Sequence, residues 1–363
     1  MTAARRWLLV AVVAVLVTAP PVLLAHWPAR VSSLSAVEVT ARIQKSAGLP
    51  WSGQATTRGT LQVPKTDSFG DVARLLSDES QLRVWWHDGS HWRVDRTRAS
   101  GESDLIRDGG LVTQWRFESE KATVTPYSTV RLPDESDVLP STLAARMLSG
   151  AKPSELSRLP TRRVAGHSSA GLRLDPADAR STIDHVDIWA DEGSGLPTRV
   201  AVYAVGRPRP VLTTRLTTLD LSAPPISVTQ FQPADGVTLS FNRTIDEAAG
   251  ANAFAPFVPP DSAAGLARRG DRTALGAVGV YGQGPTAIIA IPLRGNVASA
   301  LRTQLRKSTS TTETPAGTGL TVGPLSVLVP PGRYGAVLLA GTVTPATLEN
   351  AAADVRAHGR FVR

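Results

Sequence analysis

Residues 81–96, which read QLRVWWHDGSHWRVDR, carry the strongest fold signal in the chain. At the centre of this stretch, Asp88-Gly89 is a dipeptide typical of two-residue hairpin turns. On both sides of the turn the side chains alternate with a period of two, as they do along a β-strand that buries one face. The apolar positions of that face are Leu82, Val84, Trp86, Trp92 and Val94. The stretch therefore predicts an antiparallel hairpin.

Further segments of alternating apolar side chains follow, separated by turn residues such as Asp108-Gly109-Gly110. They lie at residues 111–118, 122–127, 162–165, 170–174, 183–190, 199–205 and 211–221. Two segments have helical spacing instead: a loose one at 34–48, and a clearer one at 140–150 that begins at a proline and ends at a glycine. We predict an α+β fold, mainly antiparallel β, with one large sheet up to about residue 241 and a helix packed across it.

The composition changes after this region. Residues 247–265 are rich in Ala and Pro and have few strand signals, which is typical of a linker. Beyond it, short strand-like segments and a last helix around 344–358 predict a small α+β domain. The predicted organisation is a signal peptide or N-terminal membrane anchor at 1–29, a large β-domain at 34–246, a linker at 247–265 and a small C-terminal domain at 266–358.

The N-terminus has the pattern of an export segment. Arg5-Arg6 precede an apolar run at residues 7–19, a Pro20-Pro21 break and a second apolar stretch that ends at Ala25. Positive charge stays on the cytoplasmic side, so the rest of the chain is expected outside the membrane, anchored or secreted. The absence of a clear cleavage site favours an uncleaved single-pass anchor over a cleaved signal peptide.

Composition narrows the function classes. The chain has 363 residues, a formal net charge of +8 and no cysteine, which excludes disulfides, a thiolate nucleophile and a lipid-bearing cysteine. The arginines are scattered through strand-like segments, whereas nucleic-acid binders gather basic residues into a stripe with aromatic side chains. We therefore expect no nucleic-acid partner, while attraction to an anionic membrane surface stays open.

Catalytic and metal motifs are weak. Residues 166–170, around Ser168, superficially resemble a nucleophile elbow, but a strand-like segment follows where a helix is required, so a hairpin turn is favoured. His87 and His91 flank a turn without further metal ligands at a recognisable spacing. We predict no enzyme activity, no metal and no cofactor.

The tryptophans are the more informative feature, because five of eight fall in predicted strands of the large sheet. A sheet covered by one helix leaves apolar surface for a ligand. The alternative is that these rings simply fill the core. The predicted ligand-binding residues of this hydrophobic cavity are Val84, Trp86, Trp92, Val94, Trp115 and Phe117.

The chain resembles the LolA/RseB superfamily of extracytoplasmic proteins, in the form found in actinobacterial envelope proteins. The resemblance spans roughly residues 46–241, and a weaker one covers Tyr281-Gly282-Gln283-Gly284 and residues 334–342 in a small C-terminal domain. The segments that carry it are 82–89, 92–95, 101–105, 164–174, 186–189 and 195–199. It implies a LolA-like half-open β-barrel wrapped over helices, with an apolar cavity for acyl chains.

Two functions follow from the resemblance. LolA-like members carry lipoproteins, which predicts a lipid- or lipoprotein-binding protein whose partner is an acyl chain in an open apolar cavity. RseB-like members bind an anti-sigma factor, which predicts a regulator with a filled or small cavity and a partner surface that spans both domains. The first is the main prediction and the second is the alternative.

Overall fold

The structure is a computed structural model, and it describes residues 5, 7, 31–63, 69–98, 101–233, 236–242, 246–270, 276–331 and 336–361. Apart from residues 5 and 7, the predicted export segment lies outside the described residues, as do Tyr334 and Gly335. Within the described part of the chain, every helix is too short or too polar to span a bilayer.

One twelve-stranded sheet dominates the described residues. Its order is β12-β6-β5-β4-β3-β2-β1-β11-β10-β9-β8-β7, antiparallel except for the β12–β6 pair, and its two edges stay apart. The mainly antiparallel α+β prediction is confirmed. The strands are β1 (Trp51–Gly59), β2 (Glu79–Trp86), β3 (His91–Arg98), β4 (Gly101–Asp108), β5 (Leu111–Arg116), β6 (Lys121–Pro126), β7 (Leu156–Val164), β8 (His167–Leu174), β9 (Ile183–Asp191), β10 (Pro197–Ala204), β11 (Leu212–Asp220) and β12 (Thr238–Phe241).

The predicted hairpin is confirmed as the β2–β3 pair. Trp86 lies opposite Trp92, and Val84 lies opposite Val94. These residues point to the side of the sheet that we call the inner face. The opposite side, which carries Trp85 and Asp95, is the outer face.

The inner face wraps over two helices, α1 (Ala36–Lys45) and α3 (Pro140–Met147). Helix α1 begins with a capping box, in which Ser35 and Glu38 bond each other's backbone N–H groups. Helix α2 (Gly70–Ser77) lies between β1 and β2 and packs against β1. The largest hydrophobic cluster fills the space between sheet and helices, with Ile43 of α1 and Leu143 of α3 among its members.

A second, six-stranded sheet lies in the C-terminal part, with the order β16-β17-β21-β20-β19-β18. Helices α4 (Glu247–Phe254), α5 (Gly295–Leu305) and α6 (Pro345–His358) contribute to its two hydrophobic clusters. The remaining strands are β13 (Phe257–Val258), β14 (Ser262–Ala263), β15 (Leu266–Ala267), β16 (Gly279–Gln283), β17 (Thr286–Pro292), β18 (Thr311–Thr314), β19 (Gly317–Val322), β20 (Leu325–Val329), β21 (Val337–Gly341) and β22 (Arg360–Phe361).

The two sheets are joined by direct contacts. The Thr182 N–H donates to the Thr342 carbonyl oxygen at 3.1 Å, and Val322 and Leu325 pack against the cluster beneath the large sheet. The predicted linker range, 247–265, contains α4, whose Ala248 is buried among residues of the six-stranded sheet. The domain boundaries stay a prediction.

Candidate functional site

Four of the six predicted cavity residues lie together on the inner face. Val84 and Val94 have no exposed surface and Trp92 is 3% exposed, all within the main hydrophobic cluster. Trp86 stacks on Trp92 with ring centroids 5.6 Å apart. Val84 and Val94 are enclosed in the core, whereas Trp86 and Trp92 also line a small pocket of about 290 Å³ together with Tyr127.

The other two residues do not share that wall. Trp115 pairs with Asp104, which pairs with Asp95, and this register places Trp115 on the outer face. Phe117 lies beyond the end of β5 in a 3₁₀ turn and is 65% exposed. Within one strand the alternation fixes which residues share a face, but only the register between strands fixes which face that is. The ligand-binding role of all six residues stays a prediction.

A larger cavity lies elsewhere in the described residues. It is a cleft of about 810 Å³ between one end of the inner face, the 131–135 loop and the C-terminal part. Its apolar wall includes Leu75, Leu105 and Phe254, the last of which is 59% exposed. Its polar wall includes Asp71, Arg96, Gln114, Arg116, Arg131, Asp134, Glu135, Asp246, Glu247 and Arg294.

Arg96 and Arg116 line the sheet end of this cleft, and Arg74 and Arg98 lie close to Arg96. We call these four residues the arginine row. Arg96 of β3, Ser103 of β4 and Arg116 of β5 are successive register partners, so their side chains follow one another across the inner face. Arg98 is two residues beyond Arg96 on the same face of β3. Arg74 comes from helix α2.

The arginine row has more donors than partners. Arg96 pairs with Glu135 at 2.7 Å, and Arg74 pairs with Asp71. Arg98 and Arg116 have no carboxylate partner among the described residues. In the arginine row and at Ser103, four buried polar atoms have no hydrogen-bond partner among the described residues: the Nε atoms of Arg74, Arg96 and Arg98, and the Ser103 Oγ.

The electrostatics at this end of the cleft follow from the same residues. Burial lowers the pKa of Arg98, and the neighbouring charges of Arg96 and Arg74 lower it further. Two carboxylates, Asp71 and Glu135, face four guanidinium groups, so the sheet end of the cleft is positively charged. A surface of this kind attracts an acidic group.

A buried ion network fixes the 131–135 loop at the cleft. Arg131 donates to Asp137 at 2.6 Å and lies 2.9 Å from Asp134, and Arg146 of α3 also donates to Asp137. Burial opposes ionisation of Asp137, but the two guanidinium groups outweigh it and hold the pKa of this carboxyl below its usual value. The loop that forms one wall of the cleft is thereby tied to α3.

The weaker motifs of the sequence have structural explanations. Residues 166–170 form the β7–β8 hairpin turn and the start of β8, as predicted, with Gly166 at a φ of 82°. His91 bonds the Asp88 carboxylate at 3.0 Å, and the His87 Nδ1 lies 3.0 Å from the Pro224 carbonyl oxygen. His91 therefore stabilises its own turn, whereas His87 connects the turn to Pro224.

Sequence reasoning missed the cleft. The alternation that placed Trp92 and Val94 on one face continues to Arg96 and Arg98, and this was the available signal. Two arginines on the buried face of a strand require anionic or polar partners. Nothing in the sequence showed that α4 and β22 would face them.

No family model matches the chain, and no curated protein matches it. Among solved structures it is similar to MucB in complex with MucA(peri), at 14% identity and a TM-score of 0.49, over 90% of this chain and 99% of that chain. It is also similar to a chain of the Pseudomonas aeruginosa MucA/MucB complex, at 15% identity and a TM-score of 0.47, again over 90% and 99%. A LolA superfamily protein from Nitrosomonas europaea is similar at 13% identity and a TM-score of 0.26, over 55% of this chain and 99% of that chain.

The architecture defines the class of protein first: an α+β protein in which one large, open antiparallel sheet wraps over helices. The LolA/RseB resemblance stays a prediction, because each of these similar structures has a TM-score below 0.5. At these identities the similarity concerns the course of the backbone and does not extend to ligands or partners.

Proposed function

We propose that this chain is an extracytoplasmic binding protein that holds a segment of another envelope protein in the cleft. The observation that carries the proposal is the cleft itself, where the arginine row on the large sheet faces α4 and β22 of the C-terminal part. The proposed partner surface therefore spans both parts of the chain, while the pocket beside Trp86 and Trp92 is small, at about 290 Å³. A small cavity together with a partner surface on both parts of the chain is what the alternative prediction, an RseB-like regulator, expects.

The lining of the cleft matches a polypeptide better than an acyl chain. Cavities for apolar ligands are lined mainly by hydrophobic side chains, with a few polar groups. Here charged side chains of both signs share the wall with exposed rings such as Phe254 and Phe361. Arginine and aromatic residues are enriched where proteins meet. Because Arg98 and Arg116 lack carboxylate partners among the described residues, the partner segment should carry Asp or Glu.

An amphiphilic lipid is the second candidate. One observation favours it: Leu75 and Leu105 line the same cleft as Arg96 and Arg116, so an anionic head and an acyl chain would both meet matching surface. This keeps the predicted acyl-chain ligand but moves it from the predicted wall to the cleft.

Photo-crosslinking in the native host tests the proposal. The full chain carries a benzophenone amino acid at Phe254, and a matched control carries it at Val205, which is 62% exposed and does not line the cleft. We expect one polypeptide adduct of defined mass at position 254 and none at 205. Arg116→Glu should reduce this adduct, while Arg215→Glu, the same charge change at an exposed outer-face position, should not.

Native mass spectrometry with lipid extraction separates the two candidates. The polypeptide proposal expects no stoichiometric acyl-chain mass on the purified full chain. A bound acyl chain that is lost in Phe254→Asp, together with no polypeptide adduct at position 254, would replace it with the lipid candidate.

A further inference from the structure

A cluster of acidic side chains lies on the outer face, on the opposite side of the sheet from the cleft. Asp95 of β3 and Asp104 of β4 are direct register partners, and Glu102 lies two residues before Asp104 on the same strand. One carboxylate oxygen from each of the three residues lies within 4.8 Å of the others. We call these three residues the acidic cluster.

Two members of the acidic cluster are buried, and Glu102 is half-buried. Asp95 is 3% exposed and Asp104 is 5% exposed. The 226–232 segment covers this part of the outer face, where Phe231 packs on Trp115 with ring centroids 5.7 Å apart. Between the segment and the sheet is a pocket of about 480 Å³, lined by Asp104, Arg93, Ser227, Gln230 and Gln232, among others.

One arginine does not balance these charges. Arg93 donates to Asp95 at 2.6 Å and to Asp104 at 2.7 Å, and its guanidinium group lies over the Trp85 ring. When all three are ionised, three carboxylates against one guanidinium group leave two negative charges. Burial and the neighbouring Asp95 carboxylate raise the pKa of Asp104, so this state is unfavourable without a further cation. The Asp104 Oδ1 is buried and has no hydrogen-bond partner among the described residues. An unpaired buried carboxylate oxygen is costly, so either a proton or a cation must satisfy it.

The ligand chemistry fits a hard cation. Calcium binds six to eight oxygen ligands at about 2.3–2.6 Å, so the oxygens around one ion lie within about 5 Å of one another, as one oxygen from each of these three carboxylates does. Magnesium requires a near-ideal octahedron and usually keeps several waters, whereas calcium accepts a flexible set of protein oxygens. The cluster contains neither His nor Cys, which zinc favours. Ser227 and Gln230 line the pocket beneath the 226–232 segment, and their side-chain oxygens can act as further ligands.

We propose that Asp95, Glu102 and Asp104 form a calcium site on the outer face. A divalent ion would cancel the two uncompensated negative charges, while Arg93 keeps its hydrogen bonds to the outer oxygens of the aspartates. Through Ser227 or Gln230, the ion would also tie the 226–232 segment to the sheet. The site lies on the opposite face from the cleft, so it is independent of the proposed function.

Calorimetry on the full chain, purified in mild detergent and stripped with a chelator, tests the site. We expect one calcium ion per chain, weaker binding of magnesium, and a higher melting temperature with saturating calcium. Glu102→Gln, which leaves the Arg93 pairs in place, should weaken calcium binding by at least about tenfold, because affinity depends on the charge count of the ligands. Asp104→Asn should do the same.

Asp187→Asn is the matched control. Asp187 is also an outer-face aspartate that is buried and bonded to one arginine, Arg173, but it lies outside the acidic cluster. This variant loses a comparable ion pair, and its calcium affinity should be unchanged.

Terbium luminescence distinguishes a metal site from a cluster of carboxylates that only stabilises the fold. Terbium replaces calcium at oxygen sites and is sensitised by a nearby indole, and Trp115 is the register partner of Asp104. Trp115→Phe should lower the luminescence while calcium affinity in calorimetry stays the same. No calcium binding by the wild type, or equal binding by wild type, Glu102→Gln and Asp104→Asn, would overturn the proposal and leave a shared proton between the aspartates.

Discussion

Trp92 and Trp115 are both tryptophans in central strands of the large sheet, yet their surroundings differ. Trp92 is enclosed by the main cluster and by the stacked ring of Trp86, whereas Trp115 is partly exposed beneath the 226–232 segment. Trp92→Ala should lower the free energy of unfolding by about 3–5 kcal/mol, because it leaves a cavity in a packed core. Trp115→Ala should cost only about 1–2 kcal/mol, since less apolar surface is lost to water.

Denaturant unfolding followed by far-ultraviolet circular dichroism measures both changes. Equal losses for the two variants would show that the inner face is not packed more tightly than the outer face. A stable Trp92→Ala variant would reopen the predicted apolar cavity at this position.

Asp137 should make the free energy of unfolding depend on pH. Its pKa is lowered in the folded chain, because Arg131 and Arg146 outweigh the effect of burial. A carboxyl with a lowered folded pKa stabilises the protein above its unfolded pKa of about 4, and this stabilisation is lost as the pH falls towards the folded pKa. Asp137→Asn should therefore destabilise strongly at about pH 6, and the difference from wild type should shrink below about pH 4.

Unfolding free energies across this pH range check the sign. Glu349→Gln is the control, because it removes a carboxylate that has no ion-pair partner among the described residues and leaves the Asp137 ion network in place. A difference between wild type and Asp137→Asn that grows on acidification would contradict the ion network at the 131–135 loop.

At the scale of single elements, the N-cap of helix α1 should stabilise that helix without affecting distant elements. Ser35 and Glu38 satisfy backbone N–H groups at its start, and Val39 and Ile43 bury its apolar side against the sheet. Ser35→Ala should cost about 1 kcal/mol, the usual value for a lost N-cap. Hydrogen exchange should become faster in the first turn of α1. Exchange in α6, which has its own cap at Thr344, should not change.

The sequence predicted those elements for which the signal is local. The β2–β3 hairpin follows from its turn and its alternation, and helix α3 follows from a proline start and apolar spacing. Alternation also identified Trp92 and Val94 as one face. It could not place Trp115, because the β4–β5 register decides which face of β5 points inward.

The cleft could not be predicted from the sequence, because residues far apart in the chain form it. Its walls come from Asp71, Arg96 and Arg116 in the first third of the chain and from Phe254 and Phe361 near its end. These residues come together only because the two sheets dock against each other. The periodicity of the sequence carries no information about that docking. The same holds for the outer-face pocket, which exists only because the 226–232 segment lies over β3 and β4.

At the scale of the whole molecule, the contacts between the two sheets imply one cooperative unit. Val322 and Leu325 of the C-terminal part pack against the core beneath the large sheet, and Leu61 lies beside Gly323. Separating the two parts would expose this apolar surface and break the hydrogen bond between Thr182 and Thr342. We therefore expect the full chain to unfold in a single transition.

The tryptophans make this test possible, because six of the eight lie in strands of the large sheet and none follows residue 189, so fluorescence reports on the large sheet and not on the six-stranded one. Circular dichroism reports on both sheets, and a Phe257→Trp variant adds a fluorescent probe in the core of the six-stranded sheet. Coincident melting curves from all three probes are expected. Val322→Asp should separate them, because a carboxylate at this contact disfavours docking, while Val258→Asp, at a position 48% exposed, should not. Two separate transitions in the wild type would mean that the parts move independently, and a cleft built from both could not hold a partner in a fixed geometry.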